Sequence, residues 1–209
     1  YIDMKNANAK TRSKAWWAIG VAGLVLAAST ALAANRQISV MEGEVLDLAY
    51  SLPGPFTELM YVVTQAGSIG AVLAVVAATF VLKRRRLAAL LLANALFAYV
   101  ITALLKEIIA RPRPAELLPG IVVRMELSLG FGFPSSHTAM ATALALTLMP
   151  YTAKKYQWLL WIWIAGVAFS RLYLGVHAPL DVIGGFCVGV IVANASRLLV
   201  SHLSGSKSH

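Results

Sequence analysis

Charge is what this sequence has least of. Of its 209 residues only 13% are charged, whereas 59% are hydrophobic, and the mean hydropathy is strongly positive. A water-soluble domain covers itself with about a quarter charged residues. Roughly half of that coat is missing here, so much of the surface is expected to face lipid. Cysteine is nearly absent as well. Cys187 stands alone, which excludes an internal disulfide, and no spacing resembles a zinc or iron–sulfur site. Within its apolar run Cys187 reads as a small core or lipid-facing residue. There is no internal repeat, no low-complexity tract and no composition break to mark a second domain. The first apolar stretch is too long for a signal peptide and lacks a clear cleavage site, so it reads as a span. The chain begins at Tyr1, as a processed or excised piece would.

What is present is apolar length. A bilayer core of about 30 Å takes about 20 apolar residues in a helix. Six stretches meet or approach that length: Ala15–Ala33, Met60–Leu82, Leu87–Leu105, Ser136–Met149, Trp158–Leu174 and Leu180–Val200. The fourth is short, is closed by Pro150 and opens on Pro134, Ser135 and Ser136, a helix-start signal. The expected fold is all-α: a polytopic membrane protein with a six-transmembrane-helix bundle over residues 15–200, between tails at 1–14 and 201–209.

The loops give the orientation. Cytoplasmic segments are enriched in Lys and Arg. Lys5, Lys10, Arg12 and Lys14 precede the first span, Lys83 to Arg86 join the second to the third, and Lys154 and Lys155 join the fourth to the fifth. Arg197 and Lys207 fall at the C-terminal end. This alternation places both termini in the cytoplasm. The other side holds nearly all the acids, with Glu42, Glu44, Asp47 and Glu58 in one outer loop and Glu107, Glu116 and Glu126 in the next. The net charge of +9 is therefore mainly a topology signal, and no nucleic-acid partner is expected. Trp16, Trp17, Trp158, Trp161 and Trp163 are expected to form an interfacial belt on the inner side. The apolar stretch Val45–Leu52 is expected to lie along the membrane surface.

A set of polar residues on the outer side remains. Lys106 ends the third span, and Arg111 and Arg113 follow it, each before a proline. Ser135, Ser136 and His137 open the fourth span. Arg171 lies near the outer end of the fifth, and His177 and Asp181 flank the start of the sixth. Ionisable residues at this depth call for a partner or a role. Lys106, Arg113 and Arg171 suit a dianionic phosphoryl group, because a guanidinium fork grips two oxygens at once. Ser135 and the backbone N–H groups of Ser136 and His137 sit at a helix N-terminus, an anion site. Asp181 in the first turn of the last span can accept from one nitrogen of His177, which strengthens the other as a nucleophile or base. His137 is then the second imidazole, available to protonate a leaving oxygen.

Taken singly, each residue has a plainer reading. Lys106 snorkels, Ser135 caps, Asp181 answers a helix dipole and Arg171 anchors at the interface. Arg111 reads as a surface or headgroup residue. Only their joint occurrence at one depth asks for chemistry.

Three segments together resemble a known family. Lys106 to Pro114 (KEIIARPRP) is similar to the KxxxxxxRP signature of the type 2 phosphatidic acid phosphatase superfamily. Pro134-Ser135-Ser136-His137 is similar to its PSGH signature, and Ser170 to Asp181 (SRLYLGVHAPLD) to SRxxxxxHxxxD. The resemblance implies that His177 attacks phosphorus, Asp181 orients it and His137 protonates the leaving group. It further implies that Lys106, Arg113, Ser135 and Arg171 bind phosphate oxygens, with no metal or other cofactor. The one departure is Ser136, where the family has glycine. A serine adds a side chain beside the phosphate, and its hydroxyl is counted here among the phosphate-binding groups.

The reading is a membrane lipid phosphatase with its site on the periplasmic or extracellular side of the cell membrane. Its expected partners are membrane lipids and a lipid phosphate or diphosphate. Polyprenyl diphosphate is the first candidate, followed by phosphatidylglycerol phosphate and phosphatidic acid. The loop Ala115–Phe133, with Leu117, Leu118, Ile121, Val122, Val123 and Met125, is expected to guide the lipid. The alternatives are a lipid phosphotransferase using the same site and a non-catalytic lipid-binding or transport protein. The clean spans speak against a transporter, and Gly185 and Gly189 read as close helix packing.

Overall fold

The computed structural model describes residues 2–124 and 130–205, and all regular structure among them is helical. Helix α1 runs over Ile2–Ala33, α2 over Val40–Tyr50, α3 over Phe56–Gln65, α4 over Ile69–Val81 and α5 over Arg85–Ile109. One turn, α6, covers Pro114–Leu117, and α7 (Ser136–Leu148), α8 (Gln157–Tyr173) and α9 (Pro179–Gly205) complete the order. Glu126 and Met125, together with Tyr1 and Lys207, lie outside the described residues.

Helix α7 is the axis of the bundle. It packs against α5, α8 and α9, while α1 packs along α9. Every residue of α7 from Thr138 to Thr147 is buried. Inside a bilayer an apolar side chain gains little by leaving lipid for protein, so helices associate through close contact and interhelical hydrogen bonds. The sequence supplies both. Ala139 and Ala143 of α7 pack on Ala98 of α5 and on Val188 and Val192 of α9. A Cβ at Gly189 would lie 2.5 Å from the Thr142 Cβ and 2.7 Å from the Ala139 carbonyl, and one at Gly185 would strike the carbonyl of Ser135. Both glycines are thus contact points that a side chain would force open. Deeper in the bundle, Asn94 donates to Thr147 Oγ1 at 2.8 Å and to Ser196 Oγ at 2.9 Å, joining α5, α7 and α9.

The apolar stretch Met60–Leu82 is not one helix. It breaks at Ala66–Ser68 into α3 and α4, which are bent by 53°. The cause is contact with α7 and α8. Gly67 sits so close that a Cβ would lie 2.7 Å from Val167 and 2.9 Å from the carbonyl of His137. Ser68 then starts α4 by accepting the N–H of Ala71 at 3.3 Å. Trp163 donates its indole N–H to the Ala66 carbonyl at 3.0 Å, so this ring turns into the protein instead of joining the belt. Trp16, Trp17, Trp158 and Trp161 are exposed.

Among the described residues three helical stretches, Arg12–Ala33, Arg85–Leu117 and Pro179–Leu203, are long and apolar enough to cross a bilayer, and the bent α3–α4 pair makes a fourth if it counts as one span. Helices α7 and α8 have 13 and 17 residues, below the usual length of about 20. Helix α2 covers most of the stretch Val45–Leu52. A capping box between Ser39 and Glu42 opens it. Glu42, Leu46 and Ala49 face the protein, whereas Val40, Met41 and Leu48 project outward.

Candidate active site

Each segment of the site is delivered by the end of a helix. Ala110 ends α5 in a left-handed turn, φ 49° and ψ 43°. Pro112 and Pro114 then favour extended backbone for the residue before each of them, and Arg113 has φ −79° and ψ 160°. Lys106 Nζ donates to the carbonyls of Phe131 and Gly132, at 2.5 and 3.1 Å. Arg113 donates from Nε to the Gly130 carbonyl and from Nη1 to the Val176 carbonyl, both at 2.8 Å. Gly130 has φ +78°, a value that favours glycine.

Ser135 precedes α7 and is fully buried. Its side chain makes no capping bond; instead its Oγ accepts from Thr138 Oγ1 at 3.2 Å. The helical ladder begins with the Ala139 N–H on the Ser135 carbonyl at 3.0 Å, so the N–H groups of Ser136, His137 and Thr138 lie ahead of it, as at any helix N-terminus. The hydroxyl of Ser136 pairs with Thr102 Oγ1 of α5 at 2.8 Å, which ties it to the bundle.

The third segment follows α8. Arg171, buried, donates from Nη1 to Thr64 Oγ1 of α3 at 2.7 Å, and its carbonyl accepts the N–H groups of Val176 and His177, at 3.2 and 3.3 Å. Gly175, at φ +70°, lets the chain turn back. His177 and Asp181 are both buried. Asp181 Oδ2 accepts the Ala178 N–H at 2.8 Å and faces His177 Nδ1 at 3.4 Å. The imidazole of His177 is held well below its usual pKa, first by burial and then by the charges of Lys106, Arg171 and Arg113 and by His137. It therefore stays neutral at neutral pH.

The three segments are stitched directly to one another. Ser135 N–H donates to the Asp181 carbonyl at 2.8 Å, joining the second segment to the third. Arg113 on the Val176 carbonyl joins the first to the third, and Lys106 on the carbonyls of Phe131 and Gly132 joins the first to the approach of the second. Among the described residues, no three His, Cys, Asp or Glu side chains converge as a metal site would need.

Sequence reasoning misread one residue and missed two others. Arg111 is not a surface group: it is fully buried and ion-paired to Glu42 Oε2 at 2.8 Å and to Asp181 Oδ1 at 2.9 Å. Glu42 is its partner and not merely an outer-loop acid; the Ser39–Glu42 capping pattern was the one local signal that this carboxylate is held. Thr64, the partner of Arg171, carried no signal. The described start of the loop after α6 is partly packed against the bundle. Ile121 is buried, Val123 packs near Tyr173 and Val176, and Val122 projects outward. Arg124 lies over the rings of Tyr50 and Tyr173, at 4.0 and 4.4 Å, clamping the loop to α2 and α8.

The chain is similar to proteins already known. The chain is 28% identical to an undecaprenyl-diphosphatase of Sulfolobus acidocaldarius over 83% of its own length and 85% of that protein. It is 33% identical to human sphingosine-1-phosphate phosphatase 2 over 42% of its length, a part that spans only 23% of the human protein. The crystal structure of Aquifex aeolicus LpxE superposes with a TM-score of 0.70 at 25% identity, over 77% of this chain and 96% of that one. The sequence profile of the PAP2 superfamily matches residues 86–203, which include all three segments. The chain belongs to the PAP2 superfamily and is a membrane phosphatase of that family.

Proposed function

We propose that the protein hydrolyses a lipid phosphomonoester or diphosphate at the outer face of the cell membrane, with His177 as nucleophile, and that polyprenyl diphosphate is its first substrate. The observation that carries this reading is the placement of Asp181 Oδ2 between the Ala178 N–H and His177 Nδ1. A carboxylate fixed in this way accepts from Nδ1–H and leaves the Nε2 lone pair free.

In the first step Nε2 of His177 forms a bond to phosphorus while the bond to the leaving oxygen breaks, and His137 gives that oxygen a proton. Asp181 balances the positive charge that the phosphorylated imidazole acquires. In the second step water attacks the same phosphorus, His137 takes its proton, and the N–P bond breaks to return neutral His177 and free phosphate. Lys106, Arg113 and Arg171 answer the charge on the phosphoryl oxygens, together with Ser135 and the N–H groups at the start of α7. Ser136 contributes through its backbone N–H, since its hydroxyl is engaged with Thr102.

Six crossings with both termini in the cytoplasm put this site outside. In that arrangement the α3–α4 pair counts as one crossing, and the short α7 and α8 each count as one, flanked by the longer helices. The Sulfolobus relative, matched over most of both chains, favours a polyprenyl diphosphate. The test is phosphate release by purified protein in detergent from a panel of polyprenyl diphosphate, phosphatidylglycerol phosphate and phosphatidic acid, with and without chelator. Fastest release from the polyprenyl diphosphate, unaffected by chelator, is the expected result. Preference for another lipid would replace the substrate, and chelator inhibition reversed by a divalent ion would overturn the mechanism.

A further inference from the structure

Arg111 is buried and spent on protein partners. It is 0% exposed, and its hydrogen bonds go to Asp181 itself and to two groups on the N-terminal side of the chain. Nη1 donates to Asp181 Oδ1 at 2.9 Å, and Nη2 donates to the Gln37 carbonyl at 2.6 Å and to Glu42 Oε2 at 2.8 Å. Glu42 is held in turn by three backbone contacts. Its Oε2 accepts the Ser39 N–H at 3.2 Å, its Oε1 accepts the Leu180 N–H at 3.2 Å, and its own N–H donates to Ser39 Oγ at 3.3 Å. A continuous line of bonded groups thus runs from α2 through Glu42 and Arg111 to Asp181 and on to His177.

The two oxygens of Asp181 divide the work. Oδ2 serves the reaction side, facing His177 and the Ala178 N–H. Oδ1 receives the guanidinium of Arg111. A carboxylate buried this completely keeps its charge only if a cation or several donors answer it. Lys106 and Arg113 donate to loop carbonyls, whereas Arg111 is ion-paired to Asp181 directly. The planar fork also fixes direction, because it spans Glu42 and Asp181 at once and a point charge does not. With two carboxylates on one guanidinium the group carries net negative charge, opposite to the cationic cup in front of it.

We infer that Arg111 is a positioning residue for the His177–Asp181 pair, and that Glu42 places it there from the surface helix α2. This rests on the phosphatase reading above. Arg111 acts on the nucleophile and not on phosphate, so its loss separates kcat from binding. Helix α2, with Val40, Met41 and Leu48 turned outward, is the anchored end of the line.

The test compares wild-type, Arg111→Gln, Arg111→Lys and Glu42→Gln proteins in turnover and in competitive inhibition by inorganic phosphate. Arg111→Gln should lower kcat by about 100-fold, with KM and the phosphate inhibition constant within about 3-fold of wild type. Arg111→Lys should recover about 10-fold of that loss, since it keeps the charge and loses the fork. Glu42→Gln should lower kcat by about 10-fold with the same unchanged binding. Wild-type kcat in Arg111→Gln overturns the inference, as does phosphate inhibition that weakens in step with kcat. If Arg111→Gln does not fold, wild-type kcat in both Arg111→Lys and Glu42→Gln overturns it. An inactive wild-type protein across the lipid panel refutes the phosphatase reading instead, and so is distinguishable.

Discussion

His177 Nδ1 and Asp181 Oδ2 are 3.4 Å apart, and the backbone N–H of Ala178 holds the same carboxylate oxygen at 2.8 Å. The peptide bond next to His177 thus fixes the carboxylate that faces its ring. Asp181→Asn keeps the size but loses the charge and offers an amide donor toward the ring. Its kcat should fall by about 100- to 10,000-fold, as when the orienting carboxylate of other catalytic triads is replaced by an amide, with KM nearly unchanged. A fall of less than about 10-fold, measured in steady-state phosphate release, would mean that Asp181 only caps α9.

Arg171 reaches across to Thr64 of α3 at 2.7 Å. Lysine at this position keeps the charge but cannot hold Thr64 and a phosphate oxygen with one planar group. Arg171→Lys should lower kcat/KM by about 10- to 100-fold, or about 1.4 to 2.7 kcal/mol of transition-state stabilisation. Unchanged kinetics would make Arg171 an interfacial anchor. Thr64→Val should reproduce part of the loss.

Gly185 touches the carbonyl of Ser135 where α9 crosses the start of α7. A side chain there has to push Ser135 and the N–H groups behind it away from the site. Gly185→Leu should therefore lower both activity and the thermal midpoint in detergent, by an overpacking penalty of about 1 to 3 kcal/mol. Gly20, where an added methyl would meet nothing within 4 Å, is the control: Gly20→Ala should leave both near wild type.

Burial and the neighbouring cations keep His177 neutral. Its folded pKa lies below its unfolded value near 6.5, so below about pH 6.5 the unfolded chain takes up a proton that the folded chain refuses. Stability is then lost as pH falls from 7.5 to 5.5. His177→Gln removes the titration. The thermal midpoint of the wild type should drop further than that of the variant over this interval; parallel curves would mean that His177 is protonated in the folded protein.

How much of this was readable beforehand follows from the range of each interaction. Lys106, Arg113, His137, Arg171, His177 and Asp181 stand out because each is a costly residue type at the end of an apolar run. The pairing of His177 with Asp181 is local, four positions apart, and the sequence spacing carried it. Arg111 was misread because its partners, Glu42 and Asp181, lie 69 and 70 residues away on either side, and nothing local separates a buried arginine from a headgroup one. The break at Gly67 was illegible for a different reason. Hydropathy is the same whether an apolar run is straight or bent, and the bend is imposed by Val167 and the His137 carbonyl from α8 and α7. The hydroxyl of Ser136 points to Thr102, a contact that depends on how α5 docks and not on the motif.

The central claim is that the phosphoryl group passes through His177. Rapid quenching with substrate labelled on the transferred phosphate, under alkaline conditions that preserve phospho-histidine, followed by peptide mapping, tests it directly. Label on the peptide containing His177 in the wild type, and none in a His177→Ala protein that releases no phosphate, is the predicted result. Label on His137, or undiminished phosphate release from His177→Ala, would contradict it.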